Sequence, residues 1–315
     1  MILLGGYGYW GKNLARNFSK ELTAVCDSDI KKLEIAKSLY PAISTYTSLD
    51  EALNHPGIKA VAIATKANTH YNIALESLAR GKDLWIEKPI CETLDQINNL
   101  IKESEKTNNI IFVDHTFCYN PAVEKLKSID IGNPIYYDST RISLGLFQSD
   151  VDALLDLAIH DLSIVNYLYP DLELKDRTII KNNHINDKAN QVIVNLKFTN
   201  GFTTTTNCNW VSPVKKRQII LTGDKNSVVY DDIDIDKIKI YSTGGINSDF
   251  NANQLGDMMA PKVGTAEALY TGRTHLLKCI ESRSHPLTSI YTAKKIMEWV
   301  LWFLFTVSKK YTKVY

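Results

Sequence analysis

Cysteine is scarce: five residues in 315, an odd number, with none in a Cys-x-x-Cys pair. That scarcity rules out a disulfide scaffold, argues against structural zinc, and makes a reducing cytosol the simplest home. An excess of either charge is also missing. Lys and Arg number 36 against 35 Asp and Glu, a net charge of +1, which leaves neither a basic face for nucleic acid nor an acidic solvated tail. Long apolar runs are absent too. The best candidate, Met297 to Val307, is broken by Glu298 and Thr306 and flanked by Lys294, Lys295, Lys309 and Lys310. Eleven residues fall short of the roughly 20 that a bilayer core requires, so a buried helix of a soluble protein is expected and no membrane contact. The opening Met-Ile-Leu-Leu-Gly lacks a basic n-region and a cleavage site, which speaks against a secretory signal. What is present is 44% hydrophobic residues, enough for a full core. At roughly 150 residues per domain, the length suggests two.

The first 115 residues alternate short apolar runs with helical stretches. Strands are expected at Ile2–Gly5, Leu22–Cys26, Ile43–Tyr46, Ala60–Ala64, Asp83–Ile86 and Ile110–Val113. Helices are expected at Gly11–Lys20, Ile30–Leu39, Leu49–Leu53, Thr69–Arg80 and Leu94–Thr107. Strands apolar on both faces and separated by helices define a doubly wound parallel sheet. Ser48, with Glu51 three residues on, Asn68 and Thr93 read as N-caps. After Tyr119 the pattern changes. A helix is expected at Asn120–Ile129, a strand at Pro134–Ser143 and a helix at about Asp152–Tyr169. A β-rich region follows, marked by Asn200-Gly201, read as a two-residue hairpin turn, and by a second turn near Asp224–Asn226. Gly244–Gly264 reads as a long functional loop. Helices at Thr265–Glu281 and Ser289–Val307 close the chain, the latter carrying Trp299, Trp302 and Phe303 as core in preference to interface. The expected class is α/β, with an N-terminal Rossmann domain (1–118) and a C-terminal α+β domain (119–315) built on an open, largely antiparallel sheet.

Four of the 15 glycines fall within the first eleven residues. Gly6-x-Gly8-x-x-Gly11 follows a strand and opens a helix. The first Gly permits the tight turn, the second lets backbone approach a pyrophosphate, and the third lets helix and strand pack closely. Free N–H groups at the helix end then hold the phosphates. Asp27, 19 residues after Gly8, is where a ribose-binding carboxylate belongs and would repel a 2′-phosphate, favouring NAD over NADP. Ser28 and Lys31/Lys32 keep NADP open.

Three further segments carry polar chemistry. Thr65-Lys66-Ala67-Asn68-Thr69-His70 and Glu87-Lys88-Pro89 both end strands at the edge where the cofactor crevice is expected. Asp156 and His160 are four apart and share a helix face, with Asp161 pointing elsewhere. A Lys beside a nicotinamide can donate to a substrate oxygen. A His can take a hydroxyl proton near neutral pH. A carboxylate one turn earlier can orient substrate or imidazole. His70, His115 and the cysteines offer no metal-ligand spacing, so no metal is expected.

Together Gly6-Tyr7-Gly8-Tyr9-Trp10-Gly11-Lys12-Asn13, the Ala64–His70 loop, Glu87-Lys88-Pro89, Tyr119-Asn120-Pro121-Ala122 and Asp156-x-Ala158-x-His160-Asp161 resemble the Gfo/Idh/MocA family of oxidoreductases, in order and spacing along essentially the whole chain. The resemblance implies hydride transfer to or from a sugar, cyclitol or nucleotide-sugar carbon. It also implies a homodimer or homotetramer formed through the C-terminal sheet. For the cofactor it implies Gly6, Gly8, Tyr9, Trp10, Gly11, Asp27, Thr65, Asn68, His70, Glu87, Lys88 and Pro89. For the substrate it implies Lys88, Tyr119, Asn120, Asp156 and His160, with Lys88 touching both nicotinamide ribose and reacting hydroxyl, His160 as proton acceptor and Asp156 as the partner carboxylate. Two positions depart from the family pattern: Lys66 stands where Pro is frequent, and Ala158 where Gly is usual. The wording looks most like members that oxidise the 3-hydroxyl of a UDP-linked N-acetylated sugar in surface-polysaccharide pathways. Lys215-Lys216-Arg217 and Arg273 are cationic candidates for a diphosphate, and equally a solvated charged turn. Two alternatives remain: an NADP-dependent keto-sugar reductase, and a catalytically silent dinucleotide-binding regulator, which would not need Lys88, Asp156 and His160 together.

Overall fold

The computed structural model describes residues 1–145, 147–242 and 256–301. Most of the Gly244–Gly264 segment, together with Trp302 and Phe303, lies outside them. The first part alternates strand and helix: β1 (Ile2–Gly5), α1 (Tyr9–Asn17), β2 (Leu22–Cys26), α2 (Ile30–Leu39), β3 (Ser44–Tyr46), α3 (Leu49–Leu53), β4 (Ala60–Ile63), α4 (Ala67–Ala79), β5 (Asp83–Glu87), α5 (Leu94–Thr107) and β6 (Ile111–Asp114). Every pairing among these strands is parallel, in the order β3-β2-β1-β4-β5-β6. The order reverses between β1 and β4, and such a switch point opens a crevice at the carboxyl ends of the strands. Alternate residues serve opposite faces. Ile2, Leu4, Ala62, Trp85 and Phe112 join one core cluster, while Leu3, Val61, Ile63, Ile86 and Val113 join the other.

After a 3-10 turn (Thr116–Tyr119) come α6 (Pro121–Lys127), β7 (Pro134–Leu144), a π-helical turn (Leu154–Ala158), α7 (Ile159–Leu168), β8 (Leu174–Asn182), β9 (Gln191–Phe198), β10 (Thr203–Asn209), β11 (Val211–Gly223), β12 (Asn226–Asp231), β13 (Ile238–Ser242) and β14 (Met258–Met259). They form an eight-stranded sheet in the order β14-β13-β12-β11-β7-β10-β9-β8. It is antiparallel except for β7 against β10. The chain ends with α8 (Ala268–Ser282) and α9 (Ile290–Val300). α8 returns to the first sheet: Leu269, Leu276 and Cys279 join its core, and Gly272 lies against Trp85, Phe112 and Tyr119. α9 packs on α5, α7 and β8, with Trp299 buried edge-on to Phe198.

Ser48 and Thr93 cap α3 and α5 as expected, Thr93 in a full capping box with Gln96. Asn68 does not cap α4. That helix begins earlier, at Ala67, after Lys66, whose side chain makes no capping bond. The Ala67 N–H is instead bonded to Asp150 Oδ2 at 2.8 Å, an acceptor from the connection after β7. The Asn200-Gly201 turn also differs. Only Gly201 takes positive φ (89°), and Phe198 pairs with Phe202 around the three-residue loop of Thr199, Asn200 and Gly201. Asn200 does not take positive φ, and its Oδ1 accepts the Phe202 N–H at 3.1 Å, so the hairpin closes on a single left-handed Gly. The expected helix over Asp152–Tyr169 starts with the π-helical turn, which takes up one extra residue.

Candidate active site

Three loops at the carboxyl ends of β1, β4 and β5 converge on the crevice. In the first, each glycine has a separate steric reason. Gly6 has φ of +90°, and a Cβ there would lie 2.7 Å from the Ala64 carbonyl oxygen. A Cβ on Gly11 would lie 2.0 Å from the Gly6 oxygen, so helix and loop touch only because that atom is absent. Above Gly8 there is nothing within 4 Å, the open side from which a phosphate can reach backbone N–H groups. At the end of β2, the buried Asp27 carboxylate accepts the Tyr7 N–H at 2.7 Å and the Asp29 N–H at 2.9 Å. Lys32 lies 3.6 Å from it. These features fit a dinucleotide, with a pyrophosphate over Gly8 and a ribose at Asp27. Tyr9 is 85% exposed, whereas Trp10 turns inward and donates its indole N–H to Glu87.

The second and third loops are bound to each other. The buried His70 ring lies between two carbonyls, with Nδ1 2.9 Å from Pro89 O and Nε2 3.2 Å from Thr65 O. The hydroxyls of Thr65 and Thr69 meet at 2.7 Å. Asn68 and Lys66 are exposed. Lys88, next to Glu87, reaches across to the second half of the chain. Its Nζ donates to Asp156 Oδ1 at 2.7 Å and to the Asp156 carbonyl at 2.8 Å. Trp210 Nε1 donates to the other carboxylate oxygen, Oδ2, at 3.0 Å.

Asp156 and His160 therefore do not form a carboxylate–imidazole pair. The π-helical turn between them sends Asp156 to Lys88 and Trp210, while His160 packs edge-on against Phe117 at 5.1 Å. His160 Nδ1 is buried with no hydrogen-bond partner. Burial, reinforced by the charges of Lys88 and Arg141, pushes the imidazole well below the usual histidine range. The ring is thus neutral at physiological pH, the form a proton acceptor needs, although burial and the nearby cations oppose its lasting protonation. Behind it the buried Arg141 and Asp161 form a two-pronged ion pair, Nε–Oδ2 2.8 Å and Nη2–Oδ1 3.0 Å. The Arg141 guanidinium also lies over the Phe117 ring, 4.3 Å from its centre. Ala158 is fully buried in the core cluster, so its methyl faces packed side chains.

Several expected residues are committed elsewhere. Tyr119 is buried among Phe112 and His275, and its hydroxyl bonds Thr288 at 2.9 Å, so it supports the core and does not face the crevice. Asn120 caps α6, accepting the Ala122 N–H at 2.8 Å. Arg273 is paired with Glu21 on the far side of the first sheet. Arg217 is the strand partner of Arg141 and lies 3.3 Å from Asp232, while Lys215 is exposed. Conversely, Trp210, Phe117, Arg141, Asp114 and Asp150 carry site contacts that no motif announced. Trp210 follows a β-strand ending in Asn209, and only the sheet register brings it to Asp156. Among the described residues no group of three or more His, Cys, Asp or Glu could hold a metal ion, and no helix is long and apolar enough to cross a membrane.

The glycine loop, the carboxylate at the end of β2 and the switch point between β1 and β4 define a dinucleotide-binding domain. Residues 2–115 match the Gfo/Idh/MocA family model, described as "Oxidoreductase family, NAD-binding Rossmann fold". Among curated relatives, a UDP-N-acetylglucosamine 3-dehydrogenase of Acidithiobacillus ferrooxidans is 26% identical over 200 residues, covering 62% of this chain and 62% of the relative. A scyllo-inositol 2-dehydrogenase (NAD(+)) of Bacillus subtilis is 28% identical over 127 residues, 38% of this chain and 37% of the relative. These alignments thus span less than two thirds of either relative. The solved structure of the Acidithiobacillus ferrooxidans enzyme superposes with a TM-score of 0.83 at 20% identity, covering 94% of this chain and 93% of the other. The fold is therefore shared over nearly the whole length.

Proposed function

We propose that the protein is an NAD-dependent oxidoreductase moving hydride between nicotinamide and a carbinol carbon of a sugar, by preference the 3-position of a UDP-linked N-acetylated sugar on the way to surface polysaccharide. In this reading residues 1–118 form the dinucleotide-binding unit and 119–315 the substrate-binding and oligomerising unit of a cytoplasmic homodimer or homotetramer. The observation that carries it is the Lys88–Asp156 contact of 2.7 Å, which joins the two halves at the carboxyl edge of the parallel sheet. NAD would be held by Gly6, Gly8, Gly11 and Asp27, and it supplies the hydride acceptor. Lys88 donates to the substrate oxygen and stabilises the charge that develops there. Asp156, fixed by Trp210, holds that ammonium in place and receives a neighbouring hydroxyl. Neutral His160 accepts the hydroxyl proton. The 26%-identical nucleotide-sugar dehydrogenase supports the sugar nucleotide, while the inositol dehydrogenase keeps a cyclitol as the second substrate class.

The test is Lys88→Ala assayed with a panel of UDP-sugars and inositols at the reduced-nicotinamide absorbance. Turnover should fall by about 100-fold or more, while NAD affinity from calorimetry changes by a few-fold at most, because the lost group acts mainly in the transition state. Unchanged turnover in the variant, or no turnover of any panel member by a wild-type protein that binds NAD tightly, would overturn the proposal; the latter outcome favours a dinucleotide-binding regulator.

A further inference from the structure

Glu87 and Asp114 are register partners on the adjacent strands β5 and β6, and both are buried. Neither has a cation of its own, since the neighbouring Lys88 is directed at Asp156. Glu87 Oε1 accepts the indole N–H of Trp10, with the Trp85 N–H at 3.4 Å. Asp114 Oδ1 accepts the Thr116 hydroxyl at 2.8 Å. Asp114 Oδ2 is buried with no hydrogen-bond partner. An ionised carboxylate can only accept, so two carboxylates side by side, with one oxygen lacking any donor, would suffer both mutual repulsion and an unmet desolvation cost. One proton resolves both. It turns the facing oxygens into a short charge-assisted bond and halves the buried charge.

We propose that Glu87 and Asp114 hold a single proton between them, and that this monoanionic dyad is a positioning element tying Trp10, and with it the glycine loop, to the strand that carries Lys88. Burial pushes both carboxyls up, and the charge of Asp114 raises Glu87 further. The groups facing the dyad are few. α1 contributes Trp10, β5 contributes Trp85 and Lys88, and the 3-10 turn with its flank contributes His115, Thr116, Cys118 and Tyr119. Of these only Lys88 is cationic, because burial holds His115 neutral with a pKa of about 3. A second negative charge on the dyad would therefore compete with Asp156 for the Lys88 ammonium. The shared proton keeps that amine pointed at the substrate side.

The experiment uses the full chain without NAD or substrate, so its outcome does not depend on the proposed activity. At about pH 8, far above the ordinary carboxyl range, infrared spectra of the wild type should retain a protonated-carboxyl carbonyl band that shifts in heavy water and is missing from Asp114→Asn and Glu87→Gln. In protein labelled with ¹⁵N-tryptophan, the Trp10 indole N–H resonance, assigned with Trp10→Phe, should titrate with that band in the wild type. In Asp114→Asn, whose amide supplies the missing donor permanently, it should not titrate. Should one variant fail to fold, the other carries the comparison. A wild type without the band, or a band surviving in a folded variant, overturns the dyad.

Discussion

Asp161→Ala separates charge burial from charge pairing more sharply than any other single change. Of the ion pairs among the described residues, Arg141–Asp161 is the most enclosed, with side chains 7% and 2% exposed and two N–H···O bonds of 2.8 and 3.0 Å. The guanidinium cannot shed its proton, so removing Asp161 strands a full charge in the core beside Tyr137 and Cys208. The cost should be roughly 3–5 kcal/mol, which at about 2–4 °C per kcal/mol lowers the Tm by roughly 6–20 °C. The double variant Arg141→Met/Asp161→Leu removes both charges and should recover most of that loss, because desolvation then offsets nothing. Urea unfolding monitored by tryptophan fluorescence measures all three proteins. The single variant should also lose activity beyond its lost stability, since Arg141 stacks on Phe117, which packs on His160. An Asp161→Ala cost under about 1 kcal/mol, or a double variant no more stable than the single, would refute the reasoning.

Gly8→Ala should leave stability nearly unchanged, because the new methyl meets nothing within 4 Å, yet raise the NAD Kd by about tenfold or more through lost pyrophosphate approach. Gly11→Ala should instead destabilise the fold by about 1–3 kcal/mol through its clash with Gly6; calorimetry and thermal unfolding of the two variants distinguish the effects. Trp210→Phe removes one of the donors to Asp156 and should cut kcat by roughly tenfold, the value of about 1.4 kcal/mol, with NAD affinity intact in a titration. His115 carries a pH signature: burial lowers its pKa to about 3, below the unfolded value of about 6.5. As pH falls through that window the unfolded chain takes up a proton that the native state refuses, so stability is complete above the window and declines by about 1.4 kcal/mol per pH unit toward its lower end. His115→Phe should flatten the acid decline by that slope in urea titrations; an unchanged slope contradicts it.

The parallel half was legible because its signals are local. Strand and helix alternate in hydrophobicity, Thr93 and Ser48 announce helix starts, and three glycines with one distant aspartate specify the loop. The family-like motifs assign Lys88, Asp156 and His160 to one site, but neither the Lys88–Asp156 ion pair nor the Trp210 contact was read from them. Trp210 reaches Asp156, and Arg141 reaches Asp161, only through pairing of strands distant in the chain, where one register step would turn each side chain to the other face. Asp156 and His160 were read as helical neighbours. A single π-helical turn, invisible to a 3.6-residue period, separates their roles. Tyr119 and Asn120 sit within a family-like phrase, yet the phrase proves architectural: one hydroxyl anchors Thr288 and one amide starts α6.

Because α8 supplies Leu269, Leu276 and Cys279 to the layer over Trp85 and Phe112, the ribosome must pass residue 279 before the sheet begun at residue 2 is sealed. Until then an aromatic surface stands open to water on the nascent chain. A fragment ending at residue 118 inherits that wound permanently, and any attempt to isolate the nucleotide-binding half should graft this late helix back onto it.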